Sequence, residues 1–279
     1  MTEKFGRLAL HTWTLDTAPL ATALAAAKQG GFDAAELRRT DFKRCFDDGM
    51  SNGQVLDLIR ASGLPVGVLG VEYGWLFATG EESDRLFKSF RESCENAVAL
   101  NCKTLMSAPG QIAGPIPQAI EFLKRAGDIA GEHGLQLAIE YNSQHDVLNS
   151  LPVLIELIEG AGKPNCGYLI DAYHFHRSGY GGASFGDLPN DMIFCFQYSD
   201  VSPNPATGMR RPTDRLAPGK GVVKWREVLG LLAKKGYTGY LSYEAPNPDL
   251  WARPPIDVCR EAVELTRKLL KDAVPGYVP

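Results

Sequence analysis

The chain has 279 residues, 44% hydrophobic and 22% charged, with net charge −4 and a pI near 5.8. That balance fits a globular protein with a sizeable core and argues against a surface built to bind nucleic acid. No apolar run reaches the ~20 residues of a membrane span, and the opening MTEKFGRLAL lacks the apolar stretch of a signal peptide, so a cytoplasmic location is expected.

Taken in chain order, short apolar runs alternate with amphipathic ones. RLALHTW (7–13) reads as a strand and APLATALAAAKQGG (18–31) as a helix closing on Gly-Gly. FDAAEL (32–37) is a second strand, and SNGQVLDLIRASG (51–63) a helix opened by a Ser cap. PVGVLGV (65–71), helix 83–101, KTLMSA (103–108) and helix 116–134 follow. LQLAIEY (135–141), helix 151–162 and CGYLIDAY (166–173) lead to a Gly-rich crossover at 178–190, read as a short helix or loop. IFCFQYSD (193–200), the long loop NPATGMRRPTDR (204–215), helix 224–237, YLSYEA (240–245) and helix 254–273 complete the chain. Helical spacing of apolar residues and glycines just before the strands support these assignments.

Eight strand–helix units imply parallel strands joined by helical crossovers. In this length they fit a single-domain (β/α)₈ barrel over residues 1–279. A doubly wound open sheet is the alternative, but no G-x-G-x-x-G follows the first strand and no phosphate-binding P-loop motif is present. The six cysteines are scattered without a CxxC pair and read as buried thiols.

In such a barrel the chemistry sits at the C-terminal ends of the strands. Strand five ends on Glu140, strand six on Asp171 with His174 just beyond, strand seven carries Gln197, and strand eight ends on Glu244. One strand-end carboxylate is most often a helix cap or an ion-pair partner. Three on adjacent strands would repel one another, and a divalent cation resolves that. Four oxygen donors suit a hard ion such as Mg²⁺ or Mn²⁺.

The segments LAIEYN, LIDAYHFHRSG, FQYSD, DRLAPGKGVVKW and YLSYEAPN resemble those of the xylose isomerase-like TIM barrels, over nearly the whole chain. That group holds sugar isomerases, epimerases, inosose dehydratase and endonuclease IV. The resemblance implies Glu140, Asp171 and Glu244 as metal ligands, with both glutamates also serving as acid and base. It implies that His174 bonds a substrate oxygen near the carbonyl, and that Arg215 binds substrate or polarises an enediolate. Trp225 is expected to pack the start of a helix, and Asp200 to orient groups around the site. Gln197 departs from the histidine ligand usual in the isomerases and epimerases; a neutral oxygen donor leans the site further toward Mg²⁺ or Mn²⁺ and away from Zn²⁺. Bacterial 3-dehydroshikimate dehydratases are similar in using Gln here. Members of the group commonly pair as homo-oligomers.

The expected function is therefore a metal-dependent sugar or polyol-ketone isomerase or epimerase that removes a proton next to a carbonyl. A dehydratase of the 3-dehydroshikimate or inosose type is the alternative. It needs a cation for a substrate carboxylate, for which Arg38, Arg177, Arg210 and Arg211 are candidates; Arg210 and Arg211 lie in the 204–215 loop, read as a substrate lid. A DNA-repair reading needs a histidine-rich zinc cluster, and the chain's five histidines are too few and too scattered. A sugar-binding barrel without activity is the remaining class. Substrate contacts are expected from His11, Trp13, Glu72 and Arg210, with Glu72, Tyr73 and Trp75 forming a wall over the sugar. His11 reads equally well as a core histidine, and strand two ends in Glu36 near Arg38.

Overall fold

In a computed structural model, which describes residues 5–208 and 211–278, eight parallel strands close into a barrel in sequence order. The first half runs β1 (Leu8–His11), α1 (Leu20–Gly30), β2 (Ala34–Leu37), α2 (Arg39–Asp47), α3 (Asn52–Ser62), β3 (Val66–Gly70), α4 (Gly80–Ala99), β4 (Thr104–Ser107) and α5 (Ile116–Glu132). The second runs β5 (Gln136–Ile139), α6 (Leu151–Ala161), β6 (Cys166–Asp171), α7 (Ala172–Arg177), β7 (Ile193–Tyr198), α8 (Trp225–Lys234), β8 (Leu241–Tyr243), α9 (Pro248–Trp251) and α10 (Pro255–Ala273). Hydrogen bonding from β8 back to β1 leaves the sheet without an edge.

All eight strand candidates form. Ser51 caps α3 as expected: its Oγ accepts from Gln54 N while the Gln54 side chain accepts from Ser51 N. Gly31 ends α1 with a left-handed φ of 97°, a conformation that favours glycine. Three helices depart from the sequence reading, α2, α7 and the single turn α9 after β8. α2 starts directly after β2; its apolar residues Phe42, Cys45 and Phe46 keep helical spacing, but they stand in the mostly polar run RTDFKRCFD, which the sequence reading did not take as a helix. CGYLIDAY stops being a strand at Asp171, because the Asp171 carboxylate accepts from Tyr173 N and opens α7 there. The consequence is functional: His174 is carried on the first turn of a helix and turned back over the barrel mouth.

The barrel is filled at one level by Val68, Met106, Ala138, Leu169 and Cys195. A larger apolar layer lies between strands and helices. All six cysteines are buried and free. Two register slips decide what stands above the apolar plug. One extra residue on β3, Gly67, sets Glu36 opposite Val68, and one on β7, Phe194, sets Asp171 opposite Gln197. Such bulges re-aim the side chains that follow them on their own strand; on β7 these include Gln197, whereas on β3 they are Val68, Leu69 and Gly70. Among the described residues, no helix is long and apolar enough to cross a membrane.

Candidate active site

Glu140 directly follows β5, Asp171 ends β6 and Glu244 directly follows β8. Backbone bonds from Glu140 N to Ser107 O (2.9 Å) and from Glu244 N to Tyr198 O (3.0 Å) extend the sheet up to both glutamates. All three carboxylates are buried. Glu140, Asp171 and His174 each offer a ligand atom, and these lie within 4.8 Å of one another. Burial, then the charges of Asp171 and Glu244, hold the Glu140 carboxyl well above the usual range. Glu244 is also raised by burial, with Arg215 opposing.

Arg215 is buried among these groups. Its Nη1 donates to Asp171 Oδ2 at 2.8 Å and lies 3.0 Å from Glu244 Oε2; its Nη2 faces His174 Nε2 at 3.2 Å. The guanidinium packs 4.3 Å over the Tyr173 ring. One arginine thus compensates two of the three carboxylates and leaves Glu140 Oε1 buried without a hydrogen-bond partner. Asp200 sets the arginine's position indirectly. Residue 200 pairs with Leu216 through two backbone bonds (2.8 and 3.0 Å), which lays Arg215 across the barrel mouth. The Asp200 carboxylate also accepts from Val201 N, Val223 N, Gly219 N and Trp225 Nε1 at 2.8–3.0 Å. Trp225 accordingly sits at the start of α8 with its indole tied to this loop.

Two histidines flank the carboxylates. His174 has Ser143 Oγ 3.0 Å from Nδ1 and Glu140 Oε1 3.8 Å from Nε2; burial lowers its pKa to about 3, so the ring is neutral at ordinary pH. His11 accepts from Trp13 N at Nδ1 (3.2 Å), which puts the ring proton on Nε2, 3.4 Å from Glu244 Oε1 and 3.9 Å from Glu36 Oε1. Burial lowers its pKa too, well below the usual value.

Gln197 and Glu36 form a layer the sequence reading did not connect. The Gln197 amide Nε2 donates to Glu36 Oε1 at 2.7 Å, both residues being wholly buried. Gln197 Oε1 is left without a partner. Burial pushes the Glu36 carboxyl up to about 8. A glutamate inside the buried run AAEL was the available signal; its partner, 161 residues away, was not readable.

Above these groups opens a cleft of about 580 Å³ whose lining includes His11, Trp13, Glu72, Glu140, His174 and Glu244. Glu72 is not free, since it pairs with Arg85 (2.7 Å) and accepts from Ser89. Tyr73 lines the cleft, half-exposed, but Trp75 does not form a wall over it. Trp75 is buried against Phe87 and Phe90 and donates to Ser107 Oγ, because the chain turns inward after Gly74. Two arginine candidates are committed elsewhere: Arg38 pairs with Asp16 and Asp41 at 2.7 Å each, and Arg177 donates to Tyr173 Oη and Ala206 O. Arg211 lies 5.0 Å over the Trp13 ring and, among the described residues, pairs with no carboxylate. Arg210 lies outside the described residues.

A family model described as the xylose isomerase-like TIM barrel matches residues 24–269. The chain belongs to that family. Among curated relatives, an inosose isomerase from Halalkalibacterium halodurans is 24% identical over 188 residues, 65% of this chain and 66% of that protein. The chain thus spans just under two thirds of that relative's length. Among solved structures, the IolI protein with a bound zinc atom superposes with a TM-score of 0.85 at 19% identity, covering 96% of this chain and 99% of the other. A D-allulose 3-epimerase from Methylomonas sp. in complex with D-allulose gives a TM-score of 0.73 at 16% identity, covering 94% and 96%. At these identities the structural likeness speaks for the fold.

Proposed function

We propose that this protein is a divalent-metal-dependent isomerase or epimerase of a sugar or polyol ketone, removing a proton next to a carbonyl. The observation that carries the reading is a pair of buried carboxyls, Glu140 and Glu244, that reach one cleft from strands on different sides of the barrel. Both are raised in pKa, as groups that must take up and return a proton require. The curated inosose isomerases among the relatives favour the same chemistry on a polyol ketone.

The residues present fit a hard cation. Glu140 Oε1 and Gln197 Oε1 are buried oxygens without partners, and the ligand atoms of Glu140, Asp171 and His174 are close enough to share an ion. Glu140, Asp171, Gln197 and Glu244 would hold it, with His174 alongside. Once bound, Mg²⁺ or Mn²⁺ would polarise the substrate carbonyl and acidify the adjacent C–H. Glu140 takes the proton and Glu244 returns one from the other side. His174, neutral over the working pH range, contacts a substrate oxygen, and Arg215 holds Asp171 and Glu244 in place. Trp13 and Tyr73 supply apolar walls for the C–H faces of the ring.

A dehydratase is the second reading: the same abstraction followed by loss of a β-hydroxyl. Arg211 favours it, because its guanidinium lines the mouth and, among the described residues, pairs with no carboxylate, so it could take a substrate carboxylate. Proton exchange from D₂O into a panel of ketoses, inososes and dehydroshikimate separates the two. Exchange that chelation abolishes, without new ultraviolet absorbance, is the expected result. A conjugated product would select the dehydratase, and turnover unchanged after verified metal removal would overturn the metal reading.

A further inference from the structure

An amide is an ambiguous ligand. One end is an oxygen acceptor and the other an NH₂ donor, and a half-turn about the last side-chain torsion exchanges them. Presented to a cation, the first binds and the second repels. Nothing about Gln197 itself selects the end that faces its neighbours on β6 and β8, Asp171 and Ser242. The selection comes from across the barrel: the 2.7 Å bond from Gln197 Nε2 to Glu36 Oε1 occupies the NH₂ end and leaves Oε1 as the unpartnered atom.

We infer that Glu36 is the positioning residue that makes Gln197 an oxygen donor to the cation, and so sets the site's preference for hard ions. The inference rests on the metal reading above. It does not depend on the charge of Glu36, because a carboxyl protonated on its other oxygen still accepts at Oε1. Glu36 is itself fixed in place. It stands opposite Val68 of the apolar plug on β3, and His11 stands beside it on β1 with Nε2 3.9 Å from the same Oε1. In a site with a histidine ligand, a carboxylate that accepts from the far ring nitrogen orients the imidazole and strengthens it as a ligand. Here a carboxyl performs that service for an amide. Without it Gln197 can turn, and the NH₂ end then confronts any ion held by Glu140 and Asp171.

The test compares metal binding by wild type, Glu36→Leu, Glu36→Gln, Gln197→Ala and the Glu36→Leu, Gln197→Ala double variant, each stripped of metal and titrated with Mn²⁺ and with Zn²⁺ by calorimetry. Circular dichroism and urea unfolding of the metal-free proteins check that each variant folds. Glu36→Leu is expected to weaken Mn²⁺ binding by roughly 10–100-fold, the usual cost of losing a partner that orients a ligand, and to weaken Zn²⁺ binding less. Glu36→Gln, whose amide oxygen accepts from Gln197 in the same place, should restore Mn²⁺ affinity to within a few-fold of wild type. In the Gln197→Ala background, Glu36→Leu should cause no further loss, since the residue it positions is gone. Wild-type affinity in Glu36→Leu, a Glu36→Gln variant as weak as Glu36→Leu, or additive losses in the double variant would each overturn the assignment while leaving the metal reading intact. A wild-type protein that binds neither ion would overturn both.

Discussion

Replacing Asp200 by asparagine removes one oxygen and changes nothing else in shape. The carboxylate receives four N–H groups in two pairs: Val201 N and Val223 N at Oδ1, Gly219 N and Trp225 Nε1 at Oδ2. Whichever way the new amide turns, its NH₂ faces one of those pairs, so two bonds to a charged acceptor are lost. At about 1.5–3 kcal/mol each, the loss is roughly 3–6 kcal/mol, a large share of the 5–15 kcal/mol that holds a typical domain together. The segment released is the one that carries Arg215 into the site through the Asp200–Leu216 pairing. Urea unfolding at fixed pH should therefore show Asp200→Asn destabilised by that amount. Activity of the fraction that remains folded should fall as well, because Arg215 no longer bridges Asp171 and Glu244. A variant within about 1 kcal/mol of wild type with full turnover would refute the reasoning, since it would mean that the four donors find water at no cost.

Three further outcomes follow from the same geometry. Glu140→Gln should abolish proton exchange while leaving the circular dichroism unchanged and the metal-free protein as stable or more so, because it deletes a buried carboxyl that burial disfavours; residual exchange near wild type would remove Glu140 from catalysis. Gln197→His should shift affinity toward Zn²⁺ relative to Mn²⁺, which competitive titration with the two ions reads directly. In the metal-free protein, Glu36 stays protonated up to about 8 when folded but ionises near 4.5 when unfolded. Stability should therefore fall by up to about 1.4 kcal/mol per pH unit between those values from this group alone, and unfolding curves of Glu36→Gln, compared with wild type from pH 5 to 8, should lack that part of the slope.

The barrel was legible because its signal is local. Each strand is a short apolar run, each helix an amphipathic one, and eight repetitions leave little freedom of topology. The strand-end residues were legible for the same reason: one rule about where parallel strands end places Glu140, Asp171, Gln197 and Glu244 on one rim. Partnership across the barrel was not. Glu36 and Gln197 bond across 161 residues of sequence, beside one-residue register slips at Gly67 on β3 and Phe194 on β7 that no local pattern announces. The arginines were misjudged for a related reason. Arg38 looked as available as Arg211, but Arg38 lies buried against Asp16 and Asp41, at sequence distances of 22 and 3 residues, whereas Arg211 stacks over the Trp13 indole and, among the described residues, pairs with no carboxylate. Trp75 followed the same logic, an aromatic near a strand end that the turn at Gly74 sends into the core.

The charges buried at the barrel mouth do not balance without help. Among the described residues, the guanidinium seated against the buried Glu36, Glu140, Asp171 and Glu244 is that of Arg215, and burial holds both histidines neutral. Arg215 bridges Asp171 and Glu244, so the charge left over belongs to Glu140 and Glu36, which among the described residues pair with no arginine or lysine and whose pKa values burial raises. A buried carboxylate in that position takes either a proton or a cation. In the metal-free protein the carboxyl of Glu140 is held toward its protonated form, so cation binding is expected to displace that proton. Titrating the metal-free protein with Mn²⁺ at pH 6 to 7, in buffers of different ionisation enthalpy, should show protons released to the buffer on binding, with apparent affinity rising as pH rises. In Glu140→Gln that release should shrink, because the group that exchanged a proton for a cation is gone. Binding without proton release in the wild type would mean that the cation sits elsewhere, or that Arg215 gives up its carboxylates to cover Glu140.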